Sequence, residues 1–449
     1  MASSTLHFIF FSALLLPFTL TTSTRDPCAS DGSDDLSIIP VNAKCSPFAA
    51  NPISGSVMDT VLHMASADSH RLTYLSSLVA GKLKPASVPI ASANQLLHTG
   101  NYVVRASLGT PSQLMFMVLD ISNDAVWVPC SGCSGCSTAA TAASFAPKLS
   151  STYSTVSCST AQCTQARGLT CPSSSPSPPS ICSFNQSYGG DSSFSASLVQ
   201  DTLTLASDVV TGFSFGCINS ASGKSLPQQG LMGLGRGPMS LISQTGSLYS
   251  GVFSYCLPSF RSFYFSGSLK LGLAGQPRSI RYTPLLSNPR RPSLYYVNLT
   301  GVSVGSVQVP LNLTYLTFDS NTGAGTIIDS GTVITRFVQP VYEAIRLEFR
   351  KQVKGPFSTM GAFDTCFAAD NENVAPTITL HMTSLDLKLP MENTLIHSSA
   401  GTLACLSMAG IPQNPNAVLN VIANLQQQNL RILFDAPNSR IGIAHETCN

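Results

Sequence analysis

Val118-Leu119-Asp120-Ile121-Ser122-Asn123 and Ile327-Ile328-Asp329-Ser330-Gly331-Thr332 are imperfect copies of one pattern, an aspartate directly after an apolar strand. A polar turn at the end of a buried strand presents its carboxylate at the bottom of a cleft. Two such turns, one from each half of a duplicated fold, bring the carboxylates together. So placed, they cannot both ionise easily and share one proton over a wide pH range. The ionised member can take a proton from a bound water that attacks a peptide carbonyl, while the protonated member stabilises the oxyanion. This chemistry requires neither metal nor cofactor. A single Asp-Ser-Gly-Thr would be an ordinary turn; a second copy in a β-rich chain changes that reading.

The surroundings fit such a fold. From about Ser87 onward, short apolar or alternating runs recur, among them Tyr102–Leu108, Leu114–Leu119, Thr202–Leu205, Leu269–Leu271, Tyr296–Val304 and Ile432–Phe434. Gly, Pro, Ser and Asn clusters separate them, which is the pattern of an all-β body. One helix is expected over Pro340–Val353, with Val341, Ala344, Ile345, Leu347 and Phe349 on its apolar face. The length past residue 89 exceeds one ordinary core, so two lobes are expected, 90–290 with the first aspartate and 291–449 with the second. The Ser/Pro run between Cys171 and Cys182 reads as a surface loop.

The N-terminus reads differently. Residues 1–24 carry an apolar core, Phe8 to Leu20, with the form of a secretory signal peptide; the run is short of the roughly 20 residues that span a bilayer. Residues 25–89 form a separate segment, with one or two helices over Met58–Val79. Such a segment is either a propeptide that covers a cleft or an N-terminal tail. Its mixed charges give no electrostatic case for neutralising the aspartates. Fourteen cysteines and the sequons at Asn185, Asn298 and Asn312 suit an oxidising, extracellular compartment.

Charged residues are only 10% of the chain and the formal net charge is +2, which leaves no basic stripe for nucleic acid. Few carboxylates also means little stability lost to protonation in acid. Three other motifs carry no chemistry. Gly301-Val302-Ser303-Val304-Gly305 matches the nucleophile-elbow string, but the next residues, Ser306-Val307-Gln308-Val309-Pro310, read as extended rather than helical. The cysteines at 130, 133 and 136 are better read as disulfides than as zinc ligands, and the glycine-rich run 230–237 lacks the Lys-Ser/Thr of a P-loop.

Taken with its flanks, the chain resembles the pepsin-like aspartic peptidases. Trp127 follows the first aspartate, and Tyr188-Gly189-Gly190-Asp191-Ser192 is similar to the family's flap tip. The cysteine run 130/133/136, Phe215-Gly216-Cys217, Gly230-Leu231-Met232-Gly233-Leu234-Gly235, Phe253-Ser254-Tyr255-Cys256 and Asn424-Leu425-Gln426-Gln427-Gln428-Asn429 resemble the plant, nepenthesin-type branch. The resemblance implies a bilobal pepsin-like fold and a secreted, monomeric, apoplastic endopeptidase acting on extended peptides. Asp120 and Asp329 would be catalytic. Tyr188, Trp127, Ser330, Thr332 and Asn123 would line the substrate cleft. It also implies the pairs Cys130–Cys133, Cys136–Cys217, Cys158–Cys182, Cys163–Cys171, Cys256–Cys448 and Cys366–Cys405. Three departures stand out: Ile121 where the family usually has Thr, Gly-Gly-Asp in the flap for Gly-Asp-Gly, and Ala423 for Gly. The hydroxyl missing at 121 would loosen the carboxylate pair, losing a buried bond worth ~1–3 kcal/mol. The same family includes plant xylanase inhibitors without a working pair, so a secreted binding protein is the rival reading.

Overall fold

Tyr102–Leu108 and Gln113–Asp120 form an antiparallel hairpin that pairs Val103 with Val118 and Leu108 with Gln113. Leu231–Gly233 then lies parallel to the end of the second strand, with Gly233 opposite Asp120. The second half repeats the device: Gly325–Ile328 is parallel to Leu419–Ile422, and the Asp329 amide donates to the Ile422 carbonyl. Each aspartate thus ends a strand hydrogen-bonded on its flanks and is itself buried, which fixes the carboxylate's direction. The computed structural model describes residues 36–46, 57–66, 68–79, 102–136, 144–165, 168–171, 180–187, 192–223, 229–260, 267–289, 291–369, 374–398, 401–412 and 418–448. Residues 1–24 and the flap tip 188–191 lie outside them.

The architecture is all-β and bilobal. Among the described residues a single 20-stranded sheet runs through both halves, and two four-stranded sheets lie in the second half. The halves are joined where Val252–Cys256 pairs with Leu430–Asp435 and Arg281–Leu286 pairs with Arg440–His445. Phe253, Tyr255, Tyr295 and Phe434 pack ring against ring across that seam, Phe253 stacked on Phe434 and Tyr295 edge-on to both. Among the described residues no helix is long and apolar enough to cross a membrane.

The main helix is Gln339–Gln352, one residue earlier than the sequence suggests, with Pro340 in its first turn. Val341, Ile345 and Phe349 are buried at the i, i+4 spacing, together with Tyr342. Leu347 is not on that face and is 60% exposed, because its position falls on the opposite side of the helical wheel.

Two of the six expected disulfides form as anticipated, Cys256–Cys448 and Cys366–Cys405. The other four are corrected to Cys130–Cys217, Cys133–Cys136, Cys158–Cys171 and Cys163–Cys182. Cys130 and Cys133 both lie in the strand Trp127–Ser134. Three extended residues span about 10 Å, beyond the usual disulfide reach of about 7 Å. Cys130 instead meets Cys217 on the neighbouring strand, which runs parallel with Val128 beside Cys217. Gly132, with φ +87°, and Gly135, with φ +77°, bend the chain, and Cys133 and Cys136 come to a Cα separation of 5.6 Å. In the second cluster, the short helix Ala161–Gln165 turns Cys163 inward onto the equally buried Cys182. Cys158 and Cys171 are left half-exposed and pair with each other. Cys45 is also disulfide-bonded.

The segment before residue 89 is part of the fold where it is described. Leu36–Pro40 pairs antiparallel with both Tyr102–Leu108 and Gly267–Leu271. Two helices come next, Val57–Ala65 and Asp68–Val79. Met58, Val61, Met64 and Ala65 of the first helix pack against Ile334, Phe363, Ile396 and Leu425 of the second lobe. Leu72 and Leu75 of the second helix pack against Leu294, Tyr296 and Ile327, beside the strand that carries Asp329.

Candidate active site

Asp120 and Asp329 meet over a single guanidinium. Arg71 Nη2 lies 2.7 Å from Asp120 Oδ1 and 2.7 Å from Asp329 Oδ1; Nη1 reaches Asp120 Oδ2 at 2.8 Å and Nε reaches Asp329 Oδ2 at 3.1 Å. All three nitrogens of the fork are used, the bidentate geometry that makes Arg–carboxylate pairs strong. Gly331 makes the approach possible, since a Cβ there would lie 2.5 Å from Arg71 Cζ. Asp120 and Asp329 are both buried, and the Arg71 side chain is 9% exposed. Arg71 therefore fills the place where a substrate's reacting bond would have to sit.

The two turns supply hydrogen bonds unequally. Asp120 Oδ1 accepts the Ser122 backbone N–H at 2.9 Å. Asp329 accepts two hydroxyls, Thr332 Oγ1 on Oδ2 and, from the opposite turn, Ser122 Oγ on Oδ1, both at 2.6 Å. Asn123 stands where Thr332 stands in the second copy, yet its Oδ1 accepts the Ala125 amide and its Nδ2 is buried without a partner. Burial works to raise the Asp329 carboxyl. The Arg71 charge and hydrogen bond, with the Ser122 and Thr332 hydroxyls, outweigh it and hold the group below the ordinary carboxylate range.

Behind the pair, Ser330 Oγ reaches across to the first turn, donating to the Leu119 carbonyl and accepting the Ile121 amide, each at 3.3 Å. The return bonds from position 121 do not exist, because Ile121 has no hydroxyl; its side chain is buried in the main core instead. Half of a reciprocal clamp is present. Gln427 Nε2 supports the second turn through the Asp329 and Ile422 carbonyls, and Tyr255 donates to Gln427 Oε1. Trp127 is buried against Phe194 beside Asp120's turn. Tyr188 lies outside the described residues. Ala423 is buried, and its amide donates to Thr335 Oγ1.

The other motifs are accounted for by the fold. Ser303 Oγ lies 2.7 Å from His381 Nε2, whose Nδ1 lies 2.7 Å from Asp386, so the elbow-like string does carry a Ser-His-Asp row. Ser303 is mid-strand, however, paired to Gln308 on one side and Thr379 on the other. No strand-to-helix turn is present there to expose an oxyanion hole. The sulfurs of Cys158, Cys163 and Cys171 are near one another, but all three are oxidised in disulfides.

Family models described as the N-terminal and C-terminal parts of xylanase inhibitors match residues 102–272 and 294–445. Aspartyl protease AED3 of Arabidopsis thaliana is 84% identical over 453 residues, covering 100% of each chain. The chain belongs to the plant pepsin-like aspartic protease family. A second family member, Aspartyl protease 25 of Oryza sativa subsp. japonica, is 51% identical over 89% of this chain and 93% of its own. Nepenthesin-1, an aspartic proteinase of Nepenthes gracilis, is 35% identical over 78% of each. Two solved structures share the fold: the one titled edgp, with TM-score 0.62 and 22% identity over 77% of this chain and 91% of its own, and soybean basic 7S globulin, with TM-score 0.61 and 21% identity over 78% and 94%. As an aspartic-type, pepsin-like peptidase, the chain carries both aspartates of its family in one buried pair. Sequence reading missed Arg71, Asp68 and the crossing Ser122 hydroxyl. The one available signal was that Asp68 and Arg71 share a helix face three residues apart.

Proposed function

We propose that this is a secreted aspartic endopeptidase held as a zymogen, with Asp120 and Asp329 as the water-activating pair and Arg71 as the plug. Residues 1–24 serve as signal peptide and 25–89 as the inhibitory segment. Residues 90–290 and 291–449 form the two lobes, each contributing one aspartate. The single observation that carries the reading is the Arg71 guanidinium bonded to both carboxylates. The cation holds the Asp329 carboxyl in its ionised form and occupies the position of the attacking water, so hydrolysis cannot begin while the helix remains in place.

Once Arg71 leaves, the two carboxylates can share one proton and a water takes the vacated position. The hydroxyls of Ser122 and Thr332 converge on Asp329, which favours the charge of the singly protonated pair at that end. The ionised carboxylate removes a proton from the water as it attacks the peptide carbonyl, and the other carboxyl donates toward the oxyanion. The tetrahedral intermediate then collapses with protonation of the leaving amine. Titration belongs to the pair as a whole. Trp127 backs the cleft, and Asn123 and the Tyr188 flap are its candidate substrate contacts; Ser330 and Thr332 act by holding the carboxylates. The substrate is an extended peptide or protein, the site of action is the apoplast, and the chain acts as a monomer. Asn185 and Asn312 are exposed, as glycan acceptors need to be. Asn298 is half-buried with its amide on Thr383 and is the poorest of the three.

A second reading, a secreted binding or inhibitor protein, is favoured by Ile121 and the half-made clamp. One experiment separates them: cleavage of a quenched apolar peptide by protein folded as the full chain and then processed, from acid to neutral pH. Acid-optimum hydrolysis blocked by pepstatin and absent in Asp120→Asn supports the peptidase. No turnover from folded, processed protein supports the binding role.

A further inference from the structure

Three residues before Arg71, on the same buried face of its helix, Asp68 enters a second receptor. Its Oδ1 accepts the Val333 amide at 2.8 Å and its Oδ2 the Ile334 amide at 2.9 Å, and Arg336 Nη2 lies 4.0 Å from Oδ2. Val333 and Ile334 directly follow Thr332, so these donors belong to the wall of the same cleft. Arg336 is nearly buried, 6% exposed; Nη1 is bonded to the Gly410 carbonyl, and Nε has no partner. Asp68 is the one carboxylate within ion-pair distance of Arg336 among the described residues. A buried cation and two aimed amides are costly to leave unpaired. When the inhibitory helix departs, all three face the vacated cleft.

From this geometry we infer that Val333 N–H, Ile334 N–H and Arg336 form a carboxylate-binding subsite, and that the processed enzyme selects peptides with an acidic side chain there. The inference rests on the peptidase reading and adds a substrate class to it. Three helical residues rise about 4.5 Å, and an extended peptide advances about 3.3 Å per residue. The acidic residue therefore sits one or two positions from the bond being cut. Asp68 serves as the zymogen's internal mimic of that residue, as Arg71 fills the reaction position itself.

The test compares kcat/KM at pH 6 for matched peptides bearing Glu or Gln at each of the two positions on either side of the scissile bond. Amide-capped and free-acid versions separate a side-chain carboxylate from a chain terminus. The expected result is a preference of roughly tenfold or more for Glu at one position in capped peptides, because a carboxyl offers an oxygen to each of the two N–H donors whereas a Gln amide turns its own N–H toward one and leaves it unpaired, at a cost of ~1–3 kcal/mol. The ratio should collapse toward one in Arg336→Met. In parallel, a synthetic peptide of residues 57–79 is titrated onto the processed protein against its Asp68→Asn version, which needs no turnover. The native peptide should bind roughly tenfold more tightly, because Asn would leave one of the two amide donors unpaired. Equal rates for Glu and Gln at every position, a preference confined to free-acid peptides, or equal binding of the two helix peptides would overturn the inference. The first of these outcomes, seen with active enzyme, leaves the peptidase reading standing. Absence of all cleavage with discrimination between the helix peptides would keep the subsite and sink the peptidase.

Discussion

The turn at Asp120 and the turn at Asp329 occupy equivalent places, each at the end of a strand hydrogen-bonded to a parallel neighbour, yet they are furnished differently. The second turn has a hydroxyl at each flanking position that matters: Ser330 reaching across the pair and Thr332 holding its own aspartate. The first has Ile121 and Asn123 at those positions, and its one hydroxyl, Ser122, serves the opposite carboxylate. The repeated backbone places the carboxylates, and the side chains at the turns decide which of them receives the donors. Symmetry of backbone thus coexists with asymmetry of charge.

The strongest way to break the comparison is to remove a carboxylate. Asp329→Asn in processed protein should reduce kcat by at least about 10³-fold, in line with the worth of a positioned acid or base, and Asp120→Asn should do likewise. Peptide hydrolysis at the optimum pH checks both. Next in size is Arg71→Ala in the full chain, which exchanges a bonded cation for two facing carboxylates. Loss of one partner from a buried ion cluster costs about 3–5 kcal/mol. The variant's inhibitory helix should accordingly be cut by added protease far sooner than the wild type's, as timed by gel.

Smaller effects sharpen the asymmetry. Ser122→Ala removes the crossing hydroxyl and should lower kcat and move the acid limb of its pH profile upward. Ala at Asn123 has no carboxylate contact to lose and should leave that limb in place. Ile121→Thr offers the missing half of the clamp, and a gain of ~1 kcal/mol in stability with a several-fold rise in kcat is expected. A denaturant melt alongside the kinetics reads both; unchanged turnover would mean that half a clamp suffices.

The docked helix also has a pH signature with two opposing parts. Arg71 holds the Asp329 carboxyl below its ordinary range, so this contact stabilises docking above the ordinary carboxylate pKa and is lost as pH falls through the docked value. Asp68 has the opposite sign: burial pushes its carboxyl up to about 6, against Arg336 and the two amides. Its contribution is fully present below the ordinary value and is lost as pH rises through about 6. Thermal stability of the full chain should therefore peak in mild acid, and Asp68→Asn should remove much of the fall on the neutral side. A pH series of melting temperatures, variant against wild type, decides it.

Much of this was legible in the sequence because it is local. The aspartate turns, the strand runs and the helix near residue 340 follow from spacing over a few residues. Leu347 was misplaced because an apolar residue inside a helical window need not lie on the buried arc. The cysteine pairs near Cys130 depended on where the chain bends, at Gly132 and Gly135, which no residue count reveals. Arg71 was hidden for the most physical reason: it acts across 49 and 258 positions of sequence, and a net charge for its segment says nothing about where one guanidinium points.

The most direct test of the central claim follows the intact chain after a step from pH 7 to below pH 3, where the Arg71 contact with Asp329 weakens, reading chain mass and peptide hydrolysis in the same tube. The account predicts that loss of the segment bearing Arg71 and the onset of pepstatin-sensitive hydrolysis rise together, with neither change in the Asp120→Asn chain unless a protease is added. Clean removal of that segment from a folded protein that then hydrolyses nothing would contradict it.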